Sequence, residues 1–374
     1  MSLFEGTIHP EEIGVRPIAE FAAVRETSGA GERLRLVRDR GRRFRDRFKA
    51  SGKAVAMRTR AANRFPWPKD YAFFRAPVPD PISHVVLHNR IEVVRFRQQG
   101  APKTLLFNPI IGELGLQAPG FARMAEKMVE IGLEHPGLLE MPKTPLERLA
   151  EIGLRAEDID YVTFDHLHAV DLRPMLGTTE PIPGFSDAPA EPMYPNAVWL
   201  LQRQELDMFS AMHPIQRPWF VIESLQTVRR SQVCLVDGDY ELGDGVAFLF
   251  TPGHTAGNQS LTVHTDRGVF TVSENGVAAD SYNPRASKIP GLREAAERDD
   301  WECIINGNAI ENLVEQYTSM VKEKSVADAN RKNPDFFNTY QSSQMIASTV
   351  APGIEPAFEQ DELDFGDLGG APRP

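Results

Sequence analysis

A chain of 374 residues, 41% hydrophobic and 25% charged, can bury a large core and has the composition of a globular protein, with room for one extended domain or for two. A formal net charge of −11 and a pI near 5.4 exclude nucleic acid as a general partner, because phosphate binding draws on an excess of Lys and Arg. The longest apolar runs, such as 104–111, fall far short of a bilayer, and the start lacks the basic stretch and apolar core of a secretory leader, so a cytoplasmic protein without a membrane partner is expected. Cys234 and Cys303 each lie in an apolar stretch away from any Cys-x-x-Cys or Cys/His cluster and are expected to be reduced core thiols.

Between Arg33 and Arg60 the chain is crowded with Arg and Lys, while Leu34, Val37, Phe44 and Phe48 recur near helical spacing. This predicts a helix with one narrow apolar stripe, its arginines meeting carboxylates of this acidic chain or of a partner; an anionic ligand or a membrane surface is the alternative. Residues 65–81 are rich in proline and aromatics, and the missing N–H groups and fixed φ of proline argue against helix or central strand. An extended strap is expected there, with Trp67, Tyr71, Phe73 and Phe74 walling a site or making a subunit contact. From Val85 onward, strands are predicted at 85–87, 91–96, 104–107, 161–164, 197–201, 233–237, 246–251, 259–265, 268–272 and 303–305. Helices are predicted at 121–131, 145–152, 202–212, 292–298 and 310–330, so the strands form sheets covered on their outer faces, a layered sandwich. The acidic stretch 358–368 predicts a flexible tail. The division expected is an arm and strap over 1–80, a sandwich domain over 81–345 and a tail over 346–374.

Two places offer chemistry. In Tyr161-Val-Thr-Phe-Asp-His166-Leu-His168-Ala-Val-Asp171-Leu-Arg173 a β-run stops and two histidines follow two residues apart, a spacing that points both imidazoles at one ion when the loop leaves a strand. In Phe250-Thr-Pro-Gly-His254-Thr-Ala-Gly another strand ends, and Pro252 and Gly253 force a turn that presents a third histidine. Three neutral imidazoles with an open position make a catalytic rather than structural metal site, able to generate hydroxide near neutral pH. Asp165 is placed either to orient a histidine or, being adjacent in sequence, to face away. A Gly-x-Ser-x-Gly elbow and glycine-rich phosphate loops are absent from the sequence, and His84, His88, His135, His213 and His264 lack a metal-type context.

Together these residues resemble the metallo-β-lactamase superfamily, especially its glyoxalase II and lactonase branch, where a strand leads into His-x-His-x-Asp-His and a later Thr-Pro-Gly-His-Thr-x-Gly supplies the third histidine. The resemblance covers about residues 85–325 and extends to Tyr194-Pro-Asn-Ala-Val-Trp, Gln202-Arg-Gln-Glu205 and Gly243-Asp-Gly245. It implies class α+β, a four-layer αββα sandwich over residues 81–345, and one divalent transition metal, zinc first, with iron or manganese as alternatives. The departures fall on the second metal site. Val170 stands where the superfamily has its Asp, and Asp171 where it has the adjacent His; Glu274 replaces the bridging Asp and Asn308 the final His. What the resemblance leaves is a mononuclear centre of His166, His168 and His254, joined by Glu274 or Asp171. Arg173 stands beside the vacancy, where a guanidinium would take over charge stabilisation from a second cation; an ordinary salt bridge is the other, favoured reading. Asp171, Arg173 and Glu274 are therefore the expected catalytic residues.

The resemblance implies a metal-dependent hydrolase that directs metal-generated hydroxide at a small-molecule ester, lactone, thioester or activated aryl ether. The eroded second site supports a different class: a noncatalytic subunit that binds a catalytic paralogue in a homo- or hetero-oligomer. Some superfamily members are two-subunit enzymes, among them a hydrolase of nitroaromatic methyl ethers such as 2,4-dinitroanisole, and an extended chain of this kind suits such an assembly. Iron-dependent oxygenase or redox chemistry is the third reading.

Overall fold

The computed structural model describes residues 6–132, 143–182, 186–307 and 309–369. In chain order its strands are β1 (Arg16–Pro17), β2 (Ala56–Pro68), β3 (His84–Gln98), β4 (Ala101–Phe107), β5 (Tyr161–Thr163), β6 (Val198–Gln202) and β7 (Val233–Val236). Then follow β8 (Tyr240–Gly243), β9 (Val246–Phe250), β10 (Gln259–Thr265), β11 (Gly268–Ser273), β12 (Thr339–Gln341), β13 (Ser343–Ile346) and β14 (Asp364–Gly366). They form two sheets, β1-β8-β9-β10-β11-β12 and β14-β2-β3-β4-β5-β6-β7, with β13 paired to β3.

Period-two alternation divides the apolar side chains among three layers of core. Val94, Phe96, Leu105, Phe107 and Leu200 of the larger sheet meet Phe248, Leu261, Val263 and Val272 of the smaller one, and these residues fill the space between the sheets. Their neighbours Val93, Leu106, Trp199 and Leu201 face outward onto Leu149 and Leu206, from the helices Pro145–Glu151 and Arg203–Ser210. On the far side Ala247, Leu249 and Val269 meet Val37, Phe44 and Phe48 of the helix Ala30–Ala50 and Met320 and Val321 of the helix Leu313–Val326. The order helix, sheet, sheet, helix is the predicted αββα sandwich of class α+β.

Strand directions decide where a site can form. β4, β5, β6 and β7 run parallel. β9 and β11 are each antiparallel to β10, hence parallel to one another, and β12 is parallel to β11. The loops that leave the C-terminal ends of β4, β5, β6, β9, β11 and β12 meet at one rim of the sandwich, the usual place for ligands in sheets of this kind.

Several expectations are corrected. Residues 56–68, expected within an arm and strap, form β2, a long strand inside the larger sheet. Its prolines, Pro66 and Pro68, pair with Val86 and His84 beyond the reach of β14, which meets β2 only at Ala56 to Arg58, so the side without an amide hydrogen faces no further strand. The acidic stretch is not a free tail in the described part: Asp364–Gly366 pairs with β2, Arg58 and Arg60 take Asp364, and Leu363 and Leu368 are buried. Residues 303–305, of which Cys303 and Ile304 are buried, are not a strand, being held singly, as by the Ile304 amide on the Ser281 carbonyl. The arginine-rich helix does meet carboxylates of its own chain: Arg33 with Glu315, Arg38 with Glu302, Arg47 with Glu20 and Glu241, and Lys49 with Asp328. Cys234 and Cys303 are buried free thiols, as expected. Among the described residues no helix is long and apolar enough to cross a membrane.

Candidate metal centre

His166 and His168 stand in the loop after β5, and His254 in the loop after β9. One nitrogen from each lies within 4.8 Å of the others. Backbone geometry makes this convergence possible. Gly253, at φ +152°, carries the chain past the helix Leu313–Val326 so closely that a Cβ there would lie 2.3 Å from the Gln316 Cα. On the other loop Ala169 turns left-handed directly after His168, and its amide is held by the Trp219 carbonyl.

Each ring is oriented from behind. The His166 Nδ1 lies 2.7 Å from an Asp165 oxygen, and Asp165 is itself fixed by Asn108, whose amide donates to the other oxygen at 3.0 Å. The His168 Nε2 donates to the Gln216 Oε1 at 2.9 Å, and Gln216 presents that oxygen because its amide nitrogen donates to Glu311. His168 therefore carries its proton on Nε2 and offers a bare Nδ1, which lies 3.0 Å from the His254 Nε2. By the same logic His166 offers Nε2. His254 is held through its backbone amide on Asn275, and its ring packs against that of His166 with centroids 4.3 Å apart.

The donor set fits a divalent metal. Two nitrogens on one tetrahedral ion at roughly 2.0–2.1 Å stand about 3.3 Å apart, close to the spacing of the nearest pair. Burial, reinforced by the His166 charge, holds His168 and His254 well below the ordinary histidine range, which leaves both neutral as ligands must be. For His166 burial pulls the same way, but contact with the Asp165 carboxylate outweighs it and the net shift is upward. That pairing is the carboxylate–histidine support that raises ligand basicity.

Of the other expected residues, Glu274 reaches the site and two do not. Glu274, at the end of β11, lines the same cavity as the histidines. Burial first, then the Asp165 charge, pushes its carboxyl up to about 8, while hydrogen bonds with Ser343 oppose the shift. It is not among the three side chains whose ligand atoms converge. Asp171 and Arg173 are spent on each other: the guanidinium binds both carboxylate oxygens, at 2.9 Å from Nε and 2.6 Å from Nη2, and reaches on to Gln117. Neither lines the cavity, so Arg173 does not stand in for a second cation, and the wall at that place is Val170. Asn308 and His135 lie outside the described residues. Gln216, Asn108, Asn275 and Ser343 were not legible in the sequence, since isolated amides and hydroxyls in loops carry no pattern.

The histidines open on a cavity of about 240 Å³ whose walls are largely apolar, among them Phe65, Trp67, Leu116, Phe121, Met124 and Val170. Trp67 of the expected strap is thus a wall of the site, while Phe73 is core. Arg64, Asn63 and Asn89 supply polar groups along the same wall system.

The layer order αββα, with three converging histidines at its strand-end rim, is the sandwich architecture that the sequence resemblance implied. The chain reaches its relatives only in part. It is 28% identical over 119 residues to the N-acyl homoserine lactonases of Bacillus thuringiensis and Bacillus cereus, a match that spans 32% of this chain and 38% of theirs. Among solved structures, a dizinc quorum-quenching lactonase is 13% identical with a TM-score of 0.44, covering 83% of this chain and 99% of its own. A hydrolase of the β-lactamase superfamily is 11% identical with a TM-score of 0.45 over the same shares. No protein-family model matches the chain.

Proposed function

We propose that the chain is a metal-dependent hydrolase of small molecules with a sizeable apolar part. The observation that carries this reading is the convergence of three imidazole nitrogens on the wall of a largely apolar cavity. His166, His168 and His254 would hold one divalent ion, zinc before iron or manganese given three nitrogen donors. When bound, such an ion supplies a Lewis acid and lowers the pKa of water. The remaining work belongs to the chain. Val170, Phe121 and Met124 exclude bulk water and seat the apolar part of the substrate. The Glu274 carboxyl, pushed up by burial, stands at the cavity wall, where it can pass a proton to a leaving oxygen. An ester or lactone is the first choice of bond, supported by the lactonases the chain matches in part; thioesters and activated aryl ethers, as in nitroaromatic methyl ethers, come next. A cytoplasmic location suits the free thiols.

A second reading, a subunit of a homo- or hetero-oligomer completed by a catalytic paralogue, draws on the exposed apolar side chains Leu116, Ile310 and Val314. One experiment separates the readings. Protein loaded in turn with zinc, iron and manganese is offered apolar esters, lactones and aryl ethers, with and without chelator, beside the His254→Ala variant. Turnover that chelation and the substitution both abolish supports the hydrolase. Turnover indifferent to both, or gained only on adding a partner chain and retained by the variant, contradicts it.

A further inference from the structure

Glu205 lies at the third position of the helix Arg203–Ser210, which begins directly after β6, and its side chain is completely enclosed. Its two oxygens serve the two histidine loops separately. Oε1 accepts the Leu167 amide at 2.8 Å, the peptide between His166 and His168. Oε2 accepts the Thr255 hydroxyl at 2.6 Å, one residue beyond His254, and the Gly257 amide at 3.1 Å. The loop after β9 comes close enough for this only because residue 257 has no side chain: a Cβ there would lie 2.2 Å from the Glu205 backbone nitrogen. Burial pushes this carboxyl up and the bonds from Thr255, Leu167 and Gly257 oppose the shift, so the enclosed acid depends on the two loops as much as they depend on it.

We infer that Glu205 is a positioning residue: it ties the loop carrying His166 and His168 to the loop carrying His254 and thereby sets the affinity and geometry of the metal site. A carboxylate can do this because both of its oxygens only accept. Glutamine cannot, since whichever way its amide turns, an NH2 group faces a backbone N–H of one loop. The side chain is not among the cavity's lining residues, and its effect passes through the three histidines.

The inference rests on the metal centre proposed above. The test titrates Zn²⁺ and Co²⁺ into the apo protein against a chelating indicator and records the visible absorption of the Co²⁺ form, for wild type, Glu205→Gln and Thr255→Val. Loss of an outer partner of a metal ligand typically weakens binding by about 10–100-fold, and Glu205→Gln is expected in that range with an altered Co²⁺ spectrum and an unchanged far-ultraviolet spectrum. Thr255→Val, which removes one of three donors, is expected to shift affinity less and in the same direction. Variants that bind as wild type does, with the same Co²⁺ spectrum, would overturn the inference alone. If Glu205→Gln does not fold, an unchanged affinity in Thr255→Val overturns it. A wild type that binds neither ion would overturn the metal centre and the inference with it.

Discussion

Replacing Glu92 with Gln should stabilise the protein, and more so as pH rises. Glu92 lies on β3 with no exposed surface, and neither carboxyl oxygen meets a hydrogen-bond partner among the described residues. Burial pushes its carboxyl up to about 8, with the Asp165 charge adding to the shift and Arg90 opposing it. The sign follows from linkage. In the unfolded chain the group loses its proton near its ordinary value of 4.5, while the folded chain holds that proton until about pH 8. Between those values the folded state binds more protons, so stability is full below the lower value and is lost as pH rises toward the upper one. The slope is about 1.4 kcal/mol per pH unit, or about 5 kcal/mol across the whole window. Glutamine keeps the shape and cannot ionise. Urea unfolding of metal-depleted wild type and Glu92→Gln at half-unit steps from pH 5 to 8 should therefore give midpoints that diverge steadily, the variant being the more stable at pH 8. Midpoints that stay parallel across that range would refute the reasoning.

Other outcomes follow from the same geometry. Asp171→Asn should leave zinc affinity unchanged in a chelator competition, because Asp171 binds Arg173 and not the site, while breaking the buried pair costs about 3–5 kcal/mol in denaturant unfolding. Glu274→Gln should lower turnover and change its pH dependence, because glutamine cannot give up the proton that the Glu274 carboxyl carries; a pH–rate profile identical to wild type would take the proton-carrying role from Glu274. Trp199→Ala, which empties a fully buried position between Phe164 and Tyr194, should lower stability by about 3–5 kcal/mol by thermal or urea unfolding.

What the sequence reveals and what it hides divide along a physical line. The histidines were legible because a metal site needs them at fixed offsets just past strand ends, and both the His-x-His and the Pro-Gly-His turn leave that local mark. Asp171 was misplaced because its partner, Arg173, is chosen by how the loop folds back, which spacing alone leaves open. Glu205 stood in a recognisable motif, yet its role depends on two loops distant in sequence closing on one carboxylate. The strands β2 and β14 were hidden for complementary reasons. Arg58 and Arg60, which placed the start of β2 in the basic arm, are the groups that draw Asp364 onto the sheet edge. Strong basic and acidic composition suggested separate appendages, and their attraction folded both into the larger sheet.

The central claim is that His166, His168 and His254 form one metal centre. Plasma mass spectrometry of the purified protein beside its His166→Ala variant tests it most directly. The account predicts close to one transition metal per wild-type chain and loss of that metal in a variant that keeps its far-ultraviolet spectrum. A wild type still metal-free after reconstitution with zinc, iron and manganese, or a variant that retains its metal, would contradict it.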